Sequence, residues 1–168
     1  MSNVKIKKFF RILLITVIIM SSFKVIFEKY FTINLSDSIP AGLYMRLPLD
    51  DIKKGDIVIF DMPENIDKYV HEREYIVTNC HSFIKIVGGL EGDKVENREN
   101  ILYINDKEIG KISFTDTIGR DLPQIDDFKI SKNHFFPLGT HKNSFDGRYY
   151  GEIDKKFIKN KAKLILKF

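Results

Sequence analysis

The pattern of apolar residues divides this chain into two parts. Residues 12–23, ILLITVIIMSSF, form an apolar stretch that contains no charge. Widening the stretch to residues 9–27 gives a segment that, as a helix, spans about 28 Å, close to the roughly 30 Å hydrocarbon core of a bilayer. The pattern therefore predicts one membrane-spanning helix near the N-terminus.

From residue 30 onward the apolar residues come in short runs rich in Ile, Val and Phe, separated by turn-forming Gly, Asp and Asn. No stretch in this part shows a 3.6-residue apolar repeat of helical length. We therefore predict a mainly β body, a twisted or folded sheet, with polar irregular excursions at 61–81 and 112–131. The predicted strands lie within residues 55–60, 82–87, 101–104, 133–139 and 163–168.

Charge gives the predicted anchor an orientation. The first eleven residues contain no acidic residue and four cations: Lys5, Lys7, Lys8 and Arg11. By the positive-inside rule this end stays in the cytoplasm. A cleaved signal peptide would also be basic and then apolar, but no small-x-small cleavage site follows the run. We expect an uncleaved anchor over residues 1–30 and one globular domain over 31–168 on the other side of the membrane.

Composition excludes several classes of protein. A chain of 168 residues suits a single domain, and beyond residue 11 it carries 23 basic and 23 acidic residues. A nucleic-acid-binding body would be basic, so nucleic acid is not an expected partner. The single Cys80 excludes an intrachain disulfide and a cysteine-based zinc site. The four histidines match no familiar ligand spacing, so neither a metal nor another cofactor is expected: His71, His81, His134 and His141.

Lys85 is a charged residue in an apolar strand. Residues 83, 85 and 87 share one strand face, so its side chain projects between Phe83 and Val87. Removal from water lowers the pKa of a lysine from about 10.4 and can turn it into a general base. The alternative is an edge-strand lysine that guards against aggregation.

Residues 36–44, SDSIPAGLY, could supply a nucleophile. Ile39 precedes a proline and is therefore biased toward extended backbone, which holds the chain out just after Ser38. A serine on such a loop becomes a nucleophile when a base lies within hydrogen-bonding reach, about 3.5 Å from Lys85 Nζ if that lysine is the base. The alternatives are an ordinary turn and a serine–histidine–aspartate triad, although no G-x-S-x-G motif occurs.

Residues 143–151, NSFDGRYYG, bring together a hydroxyl, a carboxylate and a guanidinium. Asp146 and Arg148 are two residues apart and would face the same way on a strand, where they could pair. Taken alone, this segment indicates a structural ion pair and no particular chemistry.

Taken together, these segments resemble the sequence boxes of bacterial type I signal (leader) peptidases, and among them the TraF-like peptidases of conjugative transfer. SDSIPAGLY resembles the nucleophile box with its Ser-x-Pro-x-Gly-x-Tyr pattern, and GDIVIF the strand after it. FIKIVGGLEGDKV resembles the lysine box, and NSFDGRYYG resembles a later Asn-Ser-x-Asp box. One box is weak, whereas four boxes in order behind a membrane anchor are specific.

The resemblance implies a role for each matched residue. It implies that Ser38 is the nucleophile, that Lys85 is the general base, and that Ser36 and the backbone N–H of Ser38 form the oxyanion hole. It further implies that Ser144 orients the lysine amine. Two residues are implied as a structural ion pair beside the site: Asp146 and Arg148. Four positions depart from the family's usual residues without removing a proposed catalytic group: Ile86, Glu91, Thr140 and Gly147.

The resemblance also implies a fold, an activity and a location. The fold is a folded antiparallel sheet of the signal-peptidase type, and the activity is a serine endopeptidase that cleaves signal or leader peptides from exported precursors, pilin precursors of a conjugation or type IV secretion system among them. The expected partners are precursors, the lipid bilayer and conjugation or secretion machinery, and no cofactor is needed. The expected location is the bacterial inner membrane, with a periplasmic or extracellular catalytic domain. The alternative is a catalytically inactive β module that scaffolds a secretion apparatus.

Overall fold

A computed structural model describes residues 3–76 and 79–168. Its first element is helix α1, Asn3–Tyr30, which is 28 residues and about 42 Å long. Within the described residues one helix is long and apolar enough to cross a membrane, namely residues 5–30, in which an 18-residue stretch has a mean hydropathy of 2.1. The predicted span over residues 9–27 falls inside it. Residues 1–2 of the predicted anchor and 77–78 of the predicted excursion lie outside the described residues.

The rest of the described chain is mainly antiparallel β structure, which confirms the predicted fold class. Its strands are β1 Phe31–Asn34, β2 Gly42–Leu47, β3 Ile57–Asp61, β4 Ser82–Leu90, β5 Lys94–Arg98, β6 Ile101–Ile104, β7 Lys107–Lys111, β8 Phe128–Lys129, β9 His134–Leu138, β10 Ile153–Asp154 and β11 Ile158–Lys167. The larger sheet has the order β1-β2-β11-β3-β4-β9-β10, and the smaller has the order β7-β6-β5-β8. Each of the five predicted runs contains or overlaps a strand, and 101–104 coincides with β6.

One prediction about the excursions was wrong. Helix α2, Glu64–Glu72, lies within the segment that the sequence indicated as irregular. The helix has only nine residues, too few for an apolar repeat to be recognised, and its buried residues are Ile66 and Val70. They pack against the larger sheet beside Phe60 and Phe135. Two shorter helical segments are α3, Gly147–Tyr150, and a 3₁₀ turn, Lys155–Phe157.

The apolar core holds the central strands in place from several sides. One cluster joins α2 to β3, β4 and β9, and a second joins the smaller sheet to β9. A third, of Ile39, Tyr44, Ile59 and Ala162, lies under the β1–β2 connection. Strands β3 and β4 are therefore held by packed side chains, and the β1–β2 connection packs against them through the third cluster.

Candidate active site

Lys85 lies in the middle of β4, directly opposite Val58 on β3. Its residue exposure is 2%, so the ammonium group is removed from water. Nζ donates a hydrogen bond to Ser144 Oγ at 2.9 Å and lies 5.1 Å from the centre of the Phe83 ring. The edge-strand alternative does not fit this residue, because a lysine that guards a sheet edge is exposed to solvent and Lys85 is buried.

Burial changes the acid–base behaviour of this lysine. It lowers the Lys85 pKa from 10.5 to about 8, since the charged form loses its hydration. The negative charge of Asp146 opposes the shift, and the positive charge of Arg148 adds to it. A lysine with this pKa is partly neutral near physiological pH and can accept a proton.

Ser38 lies in the turn between β1 and β2, where the next residue, Ile39, is buried with 1% exposure. The carbonyl oxygen of Ser38 accepts a hydrogen bond from the Thr140 backbone N–H at 2.6 Å. The Ser38 hydroxyl lies 2.9 Å from Ser36 Oγ. The serine backbone is thus fixed on both sides while its hydroxyl faces Ser36.

Asn34 organises this turn, and the sequence analysis did not single it out. Its residue exposure is 5%, and its Oδ1 accepts hydrogen bonds from the backbone N–H and the hydroxyl of Ser36, the latter at 2.7 Å. Its Nδ2 donates to the carbonyl oxygens of Ser36, Ile39 and Pro40. One buried amide therefore holds both ends of the turn that carries Ser38. The only sequence signal was an Asn two residues before a Ser, a spacing typical of side chains that bond to nearby backbone.

Gly139 is the point where the turn meets the segment carrying Ser144. A Cβ atom on this glycine would lie 2.1 Å from Ser144 Oγ and 2.6 Å from the carbonyl oxygen of Ser38. Such distances leave no room for a side chain, so the backbone of this residue separates the two serines. The sequence showed Gly139 only as a turn former after β9.

Asp146 and Arg148 pair as predicted, but for a different reason from the one given. They lie at the start of α3, where Asp146 caps the helix, and not on a strand. Arg148 donates to both carboxylate oxygens, at 2.9 and 2.7 Å, and also to the carbonyl oxygens of His141 and Lys142. Asp146 in turn accepts the Gly139 N–H at 2.7 Å. The buried pair therefore fixes the loop that leads to Ser144.

Four of the six predicted site residues line one cleft of about 1190 Å³. The polar side chains that line it include Ser36, Ser38, Lys85 and Ser144. Asp146 and Arg148 do not line it, and they act on it only through the loop that they bind. Between the described residues no hydrogen bond connects Ser38 to Lys85: the hydroxyl of Ser38 is bonded to Ser36, and the amine is bonded to Ser144. The direct contact that we expected of a serine–lysine pair is not formed here.

Comparison with known proteins supplies the family. The family model described as signal peptidase, peptidase S26, matches residues 4–167, nearly the whole chain. The chain belongs to this signal peptidase family. A curated relative, signal peptidase I of Bacillus licheniformis, is 28% identical over 124 residues, which is 68% of this chain and 59% of the relative. The chain thus spans about three fifths of that relative's length.

The crystal structure of a signal peptidase I from Enterococcus faecalis has a TM-score of 0.41 and 21% identity, covering 67% of this chain and 97% of that one. The family assignment rests on the family model. Membership in the signal peptidase family agrees with the resemblance found in the sequence, while the match does not distinguish the TraF-like branch from others.

Proposed function

We propose that this protein is a membrane-anchored serine endopeptidase that removes signal peptides from exported precursors, with Ser38 as nucleophile and Lys85 as general base. The observation that carries the proposal is a buried lysine, with a pKa near 8, in the same cleft as a serine on a fixed turn. Membership in the signal peptidase family supports the same activity. No metal or cofactor takes part in the chemistry proposed.

The low pKa of Lys85 supplies the base. An unperturbed lysine is neutral in about one molecule in 2,500 at pH 7, whereas a pKa of about 8 makes roughly one in ten neutral. Ser144 holds the amine by accepting its hydrogen bond, which leaves the nitrogen lone pair of the neutral form free for another proton. Burial by the apolar neighbours of β3 and β4 therefore provides a base without histidine.

The reaction follows as acyl transfer. Lys85 Nζ takes the proton of Ser38 Oγ while this oxygen attacks the scissile carbonyl carbon. The resulting oxyanion receives hydrogen bonds from the Ser36 hydroxyl and the Ser38 backbone N–H, which stabilise the developing charge. The carbon–nitrogen bond then breaks, and the leaving amine takes the proton from Lys85. Water, activated by the same lysine, hydrolyses the acyl-enzyme.

This mechanism requires the two serine hydroxyls to turn. The Ser36 hydroxyl proton is directed at Asn34 Oδ1, an acceptor only, so the Ser38 hydroxyl must donate to Ser36. Rotation about χ1 of Ser38 breaks that bond and directs the proton toward Lys85. Catalytic contacts that are long in a free enzyme commonly tighten once the substrate is bound.

The anchor is proposed to bring the site to its substrate. We assign residues 1–30 to the anchor and 31–168 to the peptidase domain, with the N-terminus in the bacterial cytoplasm and the catalytic domain periplasmic or extracellular. Ser38 follows the last residue of α1 by eight residues, at most ~29 Å of extended chain, so the cleft stays near the bilayer surface. A reporter enzyme that works only in the cytoplasm should be inactive when it is fused after Phe168. Activity of that fusion would contradict this topology.

The finer substrate assignment rests on the sequence resemblance. The Ser-x-Pro-x-Gly-x-Tyr pattern from Ser38 to Tyr44 favours pilin precursors of a conjugation or type IV secretion system, with that machinery as a partner. Mapping the new N-termini that appear when the enzyme is incubated with host precursors tests this assignment. Cleavage of general secretory precursors without any pilin precursor would contradict it.

The second candidate is an inactive, membrane-anchored module that binds precursors or secretion machinery. The observation in its favour is that the Ser38 hydroxyl is bonded to Ser36 and not to Lys85. One measurement distinguishes the two candidates: the peptidase produces cleaved precursor, and the inactive module does not.

Replacing Ser38 by Ala tests the proposal. We expect the purified full chain in detergent to cleave a precursor, and Ser38→Ala to lose this activity with little change in Tm, because the hydroxyl adds little packing. Ser131→Ala, at an exposed serine outside the cleft, is the matched control and should cleave normally. Equal cleavage by the Ser38→Ala variant would remove Ser38 from the mechanism.

A further inference from the structure

Three side chains away from the serine–lysine site come together where α2 faces the start of β4. They are Asp67, His71 and His81, and one potential ligand atom from each lies within 4.8 Å of the others. We propose that they form a binding site for a divalent cation of the zinc type. The four histidine positions gave no such indication in the sequence, because His81 reaches the other two through the fold.

Helix α2 positions two of the three proposed ligands. Asp67 and His71 are one turn apart on α2 and therefore lie on the same face. His71 Nδ1 is 3.4 Å from Asp67 Oδ1. His81 comes from the segment before β4, and its Nδ1 is 3.0 Å from both oxygens of the same carboxylate. Asp67 is thus the shared neighbour of two imidazoles.

These separations fit one ion. Zinc binds imidazole nitrogen at about 2.0–2.1 Å and carboxylate oxygen at about 2.0–2.2 Å, so tetrahedral ligand atoms lie roughly 3.3–3.5 Å apart. The two nitrogen–oxygen separations, 3.4 and 3.0 Å, are within a few tenths of an ångström of that value. Two imidazoles with one carboxylate are a donor set that zinc accepts. The His81 side chain is 64% exposed, so the fourth position is open to water.

The ring of His71 offers the ion its Nδ1 atom, the nitrogen that faces the carboxylate of Asp67. This Nδ1 also lies 2.8 Å from the backbone oxygen of Asp67, to which it donates when it carries the proton. An ion at the site therefore takes the place of that proton on Nδ1, while Nε2 stays buried and without a hydrogen-bond partner among the described residues.

The position of the site gives the ion a structural role. His81 is four residues before Lys85, and its carbonyl oxygen accepts the Met62 N–H at 2.9 Å. Val70 of α2 and Ser82 of β4, each next to a proposed ligand, line the cleft. An ion bound by Asp67, His71 and His81 therefore links α2 to β4 and braces one wall of the cleft.

Zinc binding by the full chain in detergent tests the proposal without any activity assay. After treatment with a chelator, Zn²⁺ is titrated by calorimetry, and Co²⁺ is added as a spectroscopic probe of coordination. We expect one ion per chain, the intense visible bands of tetrahedral Co²⁺, and a Tm that rises by several degrees when Zn²⁺ is well above its Kd. Asp67→Asn and His81→Gln should each weaken binding at least tenfold.

The controls separate this site from surface binding. His134→Gln removes a histidine outside the cluster and should bind as the wild type does. His81 is mostly exposed, so His81→Gln is expected to fold normally and decides the outcome. Binding that is unchanged in Asp67→Asn and His81→Gln, or no saturable binding by the wild type, overturns the proposal. The three side chains would then form only a hydrogen-bonded contact. Either result leaves the proposed peptidase activity unaffected, because this assay measures metal binding and not cleavage.

Discussion

The burial of Lys85, which gives it the low pKa that the proposed mechanism needs, also costs the protein stability. Its folded-state pKa, about 8, is below its ordinary value of 10.5, so the unfolded chain binds more protons between these two pH values. The free energy of unfolding therefore rises with pH in that window. Below pH 8 the cost of burying the charge is fully present. It amounts to about 3 kcal/mol, since a difference of one in pKa corresponds to about 1.36 kcal/mol.

Lys85→Met directly tests the cost in stability of burying the Lys85 charge. Methionine fills a similar volume without a charge, so we expect an inactive variant whose free energy of unfolding at pH 7 is higher by up to about 3 kcal/mol. The gain should shrink as pH rises from 8 toward 10.5. Denaturant unfolding in detergent at pH 7 and pH 10 measures it. A variant less stable than the wild type at pH 7 would contradict the assigned pKa.

Asn34 supports the turn that carries Ser38, the proposed nucleophile, through hydrogen bonds that Ala cannot make. In Asn34→Ala the carbonyl oxygen of Ile39 loses its amide donor, which costs about 1–3 kcal/mol, and the Ser38 turn loosens. We expect kcat to fall on the order of 10²-fold, with a smaller change in KM. Asn34→Asp places a carboxylate oxygen against the carbonyl oxygens that the amide now binds, so it should lose activity as well, which shows that the donors of Asn34 are needed. Wild-type kcat in Asn34→Ala would remove this positioning role.

Sequence reasoning at the residue scale depended on how local each signal was. Lys85 stood out because a charge in an apolar strand is visible in a window of five residues. Asn34 did not, because its contacts with Ile39 and Pro40 depend on how the turn folds back. The contact of His81 with Asp67 and His71 is likewise tertiary, since the nine residues between His71 and His81 show no pattern that predicts how the chain turns back.

At the scale of elements, five of the eleven described strands were predicted, namely β3, β4, β6, β9 and β11, and the short helix was not. Strands such as β6, Ile-Leu-Tyr-Ile, are marked by short runs of apolar residues between turns, a pattern that four residues are enough to show. Helix α2 offers only two buried positions one turn apart, which is not a repeat. The β9–α3 connection was visible as a polar box, but its packing against the β1–β2 turn was not.

Gly139→Ala tests the contact between that connection and the turn. The added Cβ would overlap Ser144 Oγ and the Ser38 carbonyl oxygen, so one segment must move. We expect a loss of about 1–3 kcal/mol in stability and a larger relative loss in kcat. Gly110→Ala is the control: its φ of +153° makes Ala strained there, but the space is open and the residue lies in β7 of the smaller sheet, outside the cleft. Equal effects of the two substitutions on kcat would contradict the role given to Gly139.

At the scale of the whole molecule, the proposed anchor and the β body are directly connected and contribute to one proposed function. Helix α1 runs directly into β1, and the rings of Phe27 and Phe31 stack with centres 5.3 Å apart across the junction. The turn after β1 carries Ser38, while β4, in the middle of the larger sheet, carries Lys85. The proposed chemistry therefore depends on the anchor-proximal edge and the central strands being held together by the cores beneath them.

The central claim, that Lys85 is the base for Ser38, is tested most directly by the pH dependence of kcat/KM for precursor cleavage. This quantity reports the essential base of the free enzyme. Because the neutral amine is the active form, we predict that kcat/KM rises through a single ionisation near pH 8 and reaches a plateau above it. Lys85→Arg should be inactive at every pH, since a guanidinium does not deprotonate in this range. A profile already at its maximum near pH 7.5, as a histidine base would give, together with full activity in Lys85→Arg, would contradict the account.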